Sequence, residues 1–318
     1  MLECGRSEAI SVKKEYGYAA VSIFMWSTTA AVSKLLLGSF NSMQIMTVTS
    51  LFAFVFLFLL NLLKGRRTLP SETLSQTVRR NLSEWKQYTL RDYVQMFAIG
   101  ALGIFLYHLL LYLGIDRMEQ ASQAFIINYL WPIMTVLFAC LIMKEKLTVQ
   151  KSLAMVLSFV GVIIVTTGGK LSGIGADNLI GALYCVLAAI SYGLFSVLNK
   201  HKGYNKYFSM MIYYLAALII SLVYTVATED WFTLDLPQTA GVLWSGIFTT
   251  ALAFTTWALA LEKGDTAKIS NLAYLTPFLS LVWTWILLGE DFDPFSLIGL
   301  LFIVAGIFVQ IKRKKSKT

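Results

Sequence analysis

The chain has 318 residues, 57% of them hydrophobic and only 14% charged, with a mean hydropathy of +0.67. That balance excludes a soluble globular domain, and the lack of alternating strand-type patterning excludes an outer-membrane barrel. The net charge of +8 would suit a nucleic-acid binder, but the basic residues sit in many short loops and form no patch on a polar domain, so nucleic acid is set aside as a partner.

About 20 consecutive apolar residues cross a bilayer as a helix. Ten such runs are read, at roughly 18–37, 43–63, 93–113, 119–143, 150–168, 178–198, 207–227, 240–261, 266–288 and 295–311. The expected fold is an all-α integral membrane protein with ten transmembrane helices and both termini cytoplasmic. Residues 1–16 form a polar cytoplasmic tail. Its basic residues are interrupted by Glu3, Glu8 and Glu15, so span one reads as an uncleaved anchor. That span places Trp26, Ser27, Thr28 and Thr29 near mid-depth, with Lys34 expected to snorkel to the outer interface.

In loop 64–92, Leu74, Val78, Leu82, Trp85 and Tyr88 recur at helical spacing after Pro70. The spacing predicts an amphipathic helix on the inner leaflet, with a solvated linker as the alternative. Span three contains His108, the only histidine within a span. A buried ionisable group there is either part of a site or a neutral imidazole bridging two helices. Span four reads Asn128-Tyr129-Leu130-Trp131-Pro132. Pro132 cannot donate to the carbonyl of Asn128, so the helix breaks there, which lipid tolerates only beside protein or a wet cavity. Asn128, Trp131, Pro132 and Thr135 share one face. The Gly168-to-Gly175 region is an outer linker (170–177). Span six carries Ser191 and Tyr192, and span eight carries Trp257. Span nine repeats the proline break, with Asn271, Tyr274, Pro277 and Phe278 placed on one face.

Spans four and nine superpose without a gap at an offset of 145 residues (277 − 132). Tyr129 falls on Tyr274, Pro132 on Pro277, Tyr112 on Trp257, Glu145 on Glu290 and Gly161 on Gly306. The turn after the first copy is basic (Lys144-Glu145-Lys146), and that after the second is acidic (Gly289-Glu290-Asp291). If the N-terminus is cytoplasmic and the loops alternate, every Lys and Arg except Lys34, Arg117 and Lys170 falls on the inner side. Each half then holds five spans, and an odd number inverts the second half: residues 17–169 form one repeat, 178–312 the other, and 313–318 a basic tail. Inverted repeats with broken helices near the midplane are a transporter signature, with two quasi-equivalent halves exchanging inward-open and outward-open shapes.

The span interiors hold no Asp, Glu or Arg. Burying a lone charge costs roughly 2.5–3.5 kcal/mol on insertion scales, so fixed charges belong where a substrate demands them. Their absence points away from phosphate-bearing solutes and from antiport built on a membrane carboxylate. Trp26, Ser27, His108, Asn128, Tyr129, Trp131, Tyr192, Trp257, Asn271 and Tyr274 are the candidate substrate-binding residues, with Pro132 and Pro277 as gating breaks. Such a lining suits a small neutral or zwitterionic solute with an apolar or aromatic part. Two histidines and three scattered cysteines supply neither a metal cluster nor a nucleophile–base pair, so no enzyme, cofactor or metal is expected. A monomer is the simplest oligomeric state.

Ten spans in two halves, each closing with proline, a Glu turn and a downstream glycine, resemble the drug/metabolite transporter superfamily and its EamA repeat. Asn128 to Pro132, Trp26-Ser27-Thr28 and Asn199-Lys200 resemble the aromatic amino acid exporter branch. The resemblance implies an inner-membrane exporter of aromatic or other neutral amino acids. A drug or lipid flippase of the same architecture is the alternative.

Overall fold

The computed structural model describes residues 2–64, 73–144, 149–167, 175–228, 232–263, 272–273, 275–291 and 293–311, and every regular element among them is helical. The first half contains α1 (Leu2–Ser27), α2 (Thr29–Leu37), α3 (Ser42–Leu63), α4 (Leu74–Trp85) and α5 (Leu90–Gly100). A π-helical segment, Ala101–Leu106, leads into α6 (Tyr107–Arg117), and α7 (Ala121–Asn128), α8 (Trp131–Ile142) and α9 (Val149–Thr167) follow. The second half contains α10 (Ala176–Lys202), α11 (Lys206–Thr228) and α12 (Leu236–Leu243), then a second π-helical segment, Trp244–Leu252. It closes with α13 (Ala253–Lys263), α14 (Leu275–Leu288) and α15 (Pro294–Ile311). Seven described stretches are long and apolar enough to cross a membrane, and two shorter apolar helices lie at 275–288 and 294–306.

Local chemistry sets several of the starts. Asn41, Thr73, Thr89 and Asp235 each cap a helix through a side-chain oxygen, answered by Gln44, Gln76, Asp92 and Gln238 three residues on. This reciprocal box satisfies backbone donors that the first turn leaves unpaired.

The halves interlock by swapping partners. α3 packs along α11 and α9 along α15. α6 packs on α10 as α13 packs on α1, and α8 packs on α10 as α14 packs on α1. Exchanging the halves maps the first two pairs onto themselves and the α6–α10 and α8–α10 pairs onto α13–α1 and α14–α1. Polar bonds pin them: Ser22 Oγ lies 2.7 Å from Thr256 Oγ1 across α1 and α13, and Thr47 Oγ1 lies 3.0 Å from Thr225 Oγ1 across α3 and α11. The two π-helical segments obey the same relation, because 101–106 shifted by 145 becomes 246–251, inside 244–252. So do the backbone turns after α8 and α14: Lys144 has φ +57° and its counterpart Gly289 has φ +68°.

The helix expected in the long loop is α4, and the side it turns to the bundle is polar. Thr77 and Asn81 are its buried residues. Asn81 Nδ2 donates to the carbonyls of Leu62 (2.8 Å) and Lys64 (3.1 Å) at the end of α3. Leu74 and Leu82 remain exposed. Trp85, at its last turn, packs between Phe58 and Phe208.

Candidate functional site

The break in span four falls where proline places it. Tyr129 and Leu130 form a turn between α7 and α8, with the Tyr129 amide bonding to the carbonyls of Phe125 and Ile126 and that of Leu130 to Ile127. Pro132 then sits in the first turn of α8, where its missing N–H costs nothing. The first span breaks too: Thr28 separates α1 from α2, and its hydroxyl accepts from Trp244 Nε1 at 2.8 Å.

Between these breaks lies a small cavity of about 30 Å³, room for about two waters. It is lined by Trp26, Thr29 and Ser33 from the first span, Tyr107, His108, Leu111 and Tyr112 from α6, and Phe125, Asn128, Tyr129 and Trp131 around the α7–α8 break. Tyr192, Thr249, Thr250 and Phe254 complete it from the second half. Among the described residues no charged side chain lines it. Its aromatic wall is continuous: Tyr107 and Tyr192 have ring centroids 4.9 Å apart, and His108 and Phe254 5.5 Å. His108 Nδ1 lies 2.8 Å from the Ile104 carbonyl, which assigns the proton to that nitrogen.

Asn128 Nδ2 donates to the Tyr107 hydroxyl at 3.2 Å, while Asn128 Oδ1, Trp26 Nε1 and Thr29 Oγ1 are buried without a hydrogen-bond partner among the described residues. A buried polar atom left unpaired costs about 1–3 kcal/mol. Two donors and one acceptor around one void therefore amount to a site that water or a solute would satisfy.

Six of the residues singled out from sequence line the cavity: Trp26, His108, Asn128, Tyr129, Trp131 and Tyr192. Trp257 stands just behind, its ring centroid 5.2 Å from that of Trp26 and 6.1 Å from that of Trp131. Ser27 is elsewhere. It is fully buried, donates to the Phe24 carbonyl at 2.7 Å and accepts from Trp283 Nε1 at 3.0 Å, tying α1 to α14. Pro132 and Pro277 are buried but do not line the void. Asn271 and Tyr274 lie outside the described residues. Phe278 does not share the inward face expected for it: it is exposed, and the buried face of α14 is Thr276, Pro277, Ser280, Leu281 and Thr284. One residue past Pro277 is a rotation of about 100°, enough to carry Phe278 off that face. Tyr107, Phe125, Thr249, Thr250 and Phe254 were missed from sequence. Tyr107 lies one residue before His108, but the π-helical turns that set the faces of α6 and α13 leave no clear trace in the hydrophobic pattern.

Above the cavity, residues 118–120 join α6 to α7. Lys34 reaches from α2 to the end of α6. Its Nζ donates to the carbonyls of Ile115 (3.0 Å) and Met118 (3.2 Å). Glu290 accepts from the Ala121 amide at 2.8 Å through Oε1, and from the Ser122 amide (3.3 Å) and hydroxyl (2.6 Å) through Oε2. Arg117 meets Asp177 at 3.0 Å on the surface.

Comparison with known proteins fits this geometry. The model of the EamA-like transporter family matches residues 13–167 and again 179–311, once in each half. A protein named an uncharacterized transporter from Clostridium kluyveri is 23% identical over 312 residues, covering 96% of this chain and 95% of its own. The uncharacterized transporter YoaV of Bacillus subtilis is 24% identical over 241 residues, or 73% of this chain and 78% of that protein. Protein PecM of Dickeya dadantii is 22% identical over 220 residues, or 68% and 72%. One solved crystal structure superposes with a TM-score of 0.66 over 94% of this chain and 96% of that one, at 19% identity, a likeness of fold alone. With both halves matched in tandem, the chain belongs to the EamA-like transporter family and is a membrane transporter.

Proposed function

We propose that this transporter moves a small neutral or zwitterionic metabolite, an amino acid with an aromatic or other neutral side chain, outward across the cell's inner membrane. Ten spans form two inverted five-helix repeats with both termini cytoplasmic, and the solute is carried by alternating access around the cavity at the α7–α8 break. The observation that carries this reading is the lining itself: among the described residues it is uncharged, aromatic on most sides, and bears unpaired donors at Trp26 and Thr29 and an unpaired acceptor at Asn128. Indole and hydroxyl groups suit a carboxylate, the amide oxygen suits an ammonium, and the rings suit an apolar side chain. The cavity of about 30 Å³ is well short of the roughly 300–1,000 Å³ of ligand pockets, so it must widen to take the proposed solute, as alternating access requires.

The test is counterflow in proteoliposomes with radiolabelled Phe, Trp, Tyr, Thr and Met. Exchange of at least one, reduced in Asn128→Ala and Trp131→Ala, supports the reading. Flipping of a fluorescent lipid with no amino acid exchanged would replace it by the flippase alternative.

A further inference from the structure

We propose that Lys34 and Glu290 form the latch that holds the cavity shut at the corner between α6 and α7, and that the solute passes this corner when the latch parts. The inference rests on reading the cavity as the transport chamber.

The two charges are matched to the helix ends they meet. A helix carries partial negative charge on its last carbonyls and partial positive charge on its first amides. The Lys34 ammonium takes the carbonyls of Ile115 and Met118 at the end of α6, and the Glu290 carboxylate takes the amides of Ala121 and Ser122 at the start of α7. The N-cap residue of α7, Gln120, makes no side-chain cap bond of its own. Leu111 and Tyr112, one turn before the Lys34 contacts, and Phe125 and Asn128, one to two turns after the Glu290 contacts, line the cavity, as does Ser33 beside Lys34. The corner is therefore the roof of the void. The Glu290 tie joins the second half to the first, so a movement of one half against the other pulls on it directly, while the Lys34 tie, made within the first half, holds the neighbouring end of α6 in place. The Arg117–Asp177 pair is half exposed or more on both sides and adds little.

Glu290 is aimed by the residue before it. Gly289 has φ +68°, a left-handed conformation that glycine adopts freely and side chains resist. It ends α14 and turns the chain so that the carboxylate reaches α7.

The test reads opening directly and needs no solute. In a background with Cys4, Cys140 and Cys185 replaced by alanine, Ser33→Cys places one thiol in the cavity. Its labelling by a membrane-impermeant maleimide is timed from each face of oriented vesicles. Glu290→Ala and Lys34→Met each remove charge-assisted bonds and should speed labelling about tenfold or more from the face that bears Asp177, with no change from the other face. Gly289→Ala leaves every latch atom in place but strains the turn, and should give a smaller rise from the same face. Monodisperse elution of each variant shows that the fold is kept. Unchanged labelling in folded Glu290→Ala and Lys34→Met, or an equal rise from both faces, overturns the latch. If no amino acid exchanges in counterflow but labelling behaves as stated, the substrate reading fails and the latch stands.

Discussion

Trp131 meets Tyr192 edge to face, with ring centroids 5.0 Å apart and planes at 89°. The contact fixes the first turn of α8 on α10 and joins the broken helix of one half to the first helix of the other. The helices approach closely one residue further on, where a Cβ at Gly193 would lie 2.6 Å from Met134 Cβ and 2.8 Å from the Thr135 nitrogen. Removing a buried Trp costs about 3–5 kcal/mol. Trp131→Ala is expected to lower the thermal midpoint in detergent and abolish counterflow, while Trp131→Phe keeps an edge contact and recovers most of both. Wild-type exchange by Trp131→Ala would remove this residue from the site.

The Asn128–Tyr107 bond links α7 to α6 across the cavity wall. A neutral hydrogen bond contributes about 0.5–1.5 kcal/mol net. A double-mutant cycle of Tyr107→Phe and Asn128→Leu should give a coupling of about 1 kcal/mol in unfolding free energy. Strict additivity would mean that the pair does not interact in the membrane.

Two glycines make opposite predictions. A Cβ at Gly100 would lie 2.5 Å from Tyr213 Cα, backbone that cannot give way, where α5 crosses α11. Gly100→Ala should destabilise by about 1–3 kcal/mol through overpacking. Gly17, inside α1, has nothing within 4 Å of its Cβ position, so Gly17→Ala should stabilise by about 0.5–1 kcal/mol from helix propensity alone. Thermal melts of the two purified variants check both signs, and a neutral Gly100→Ala would mean that the α5–α11 contact is looser than described.

Asn81 supplies donors to the last carbonyls of α3, so the nature of the replacement matters more than its size. Asn81→Asp offers acceptors only and sets a negative charge at the negative end of that helix. It should free α4 at least as much as Asn81→Ala does. Limited trypsin digestion at Arg79 and Arg80 reads this, with cutting about 5–30-fold faster for a loss of 1–2 kcal/mol. Equal cutting of all three proteins would show that other contacts hold α4 down.

What the sequence revealed and what it concealed have a common cause. A proline break is written in one residue, so the α7–α8 discontinuity and the offset that carries it to Pro277 were legible. Aromatic and amide residues near that break were legible as the lining of a cavity because polar atoms inside a span need a reason to be there. The face of α14 was not, because it turns on a rotation of one residue, and Phe278 landed outside. Lys34 was read as an isolated charge seeking water, since its partners are backbone carbonyls that carry no side-chain signature. The polar docking face of α4 was hidden for the same reason: Asn81 binds the end of a helix, and only coordinates show which end is near.

The widened turns at 101–106 and 244–252 speak to the history of the chain. A bulge of this kind inserts a residue into a helix and re-aims everything after it, so independent acquisition at matching positions would require the same accident twice. The simpler account is that an ancestral five-helix unit already carried the bulge when its gene was doubled. A present-day protein made of a single such unit should then show the same loosened turn in its third helix, and a regular α-helix there would separate the two events.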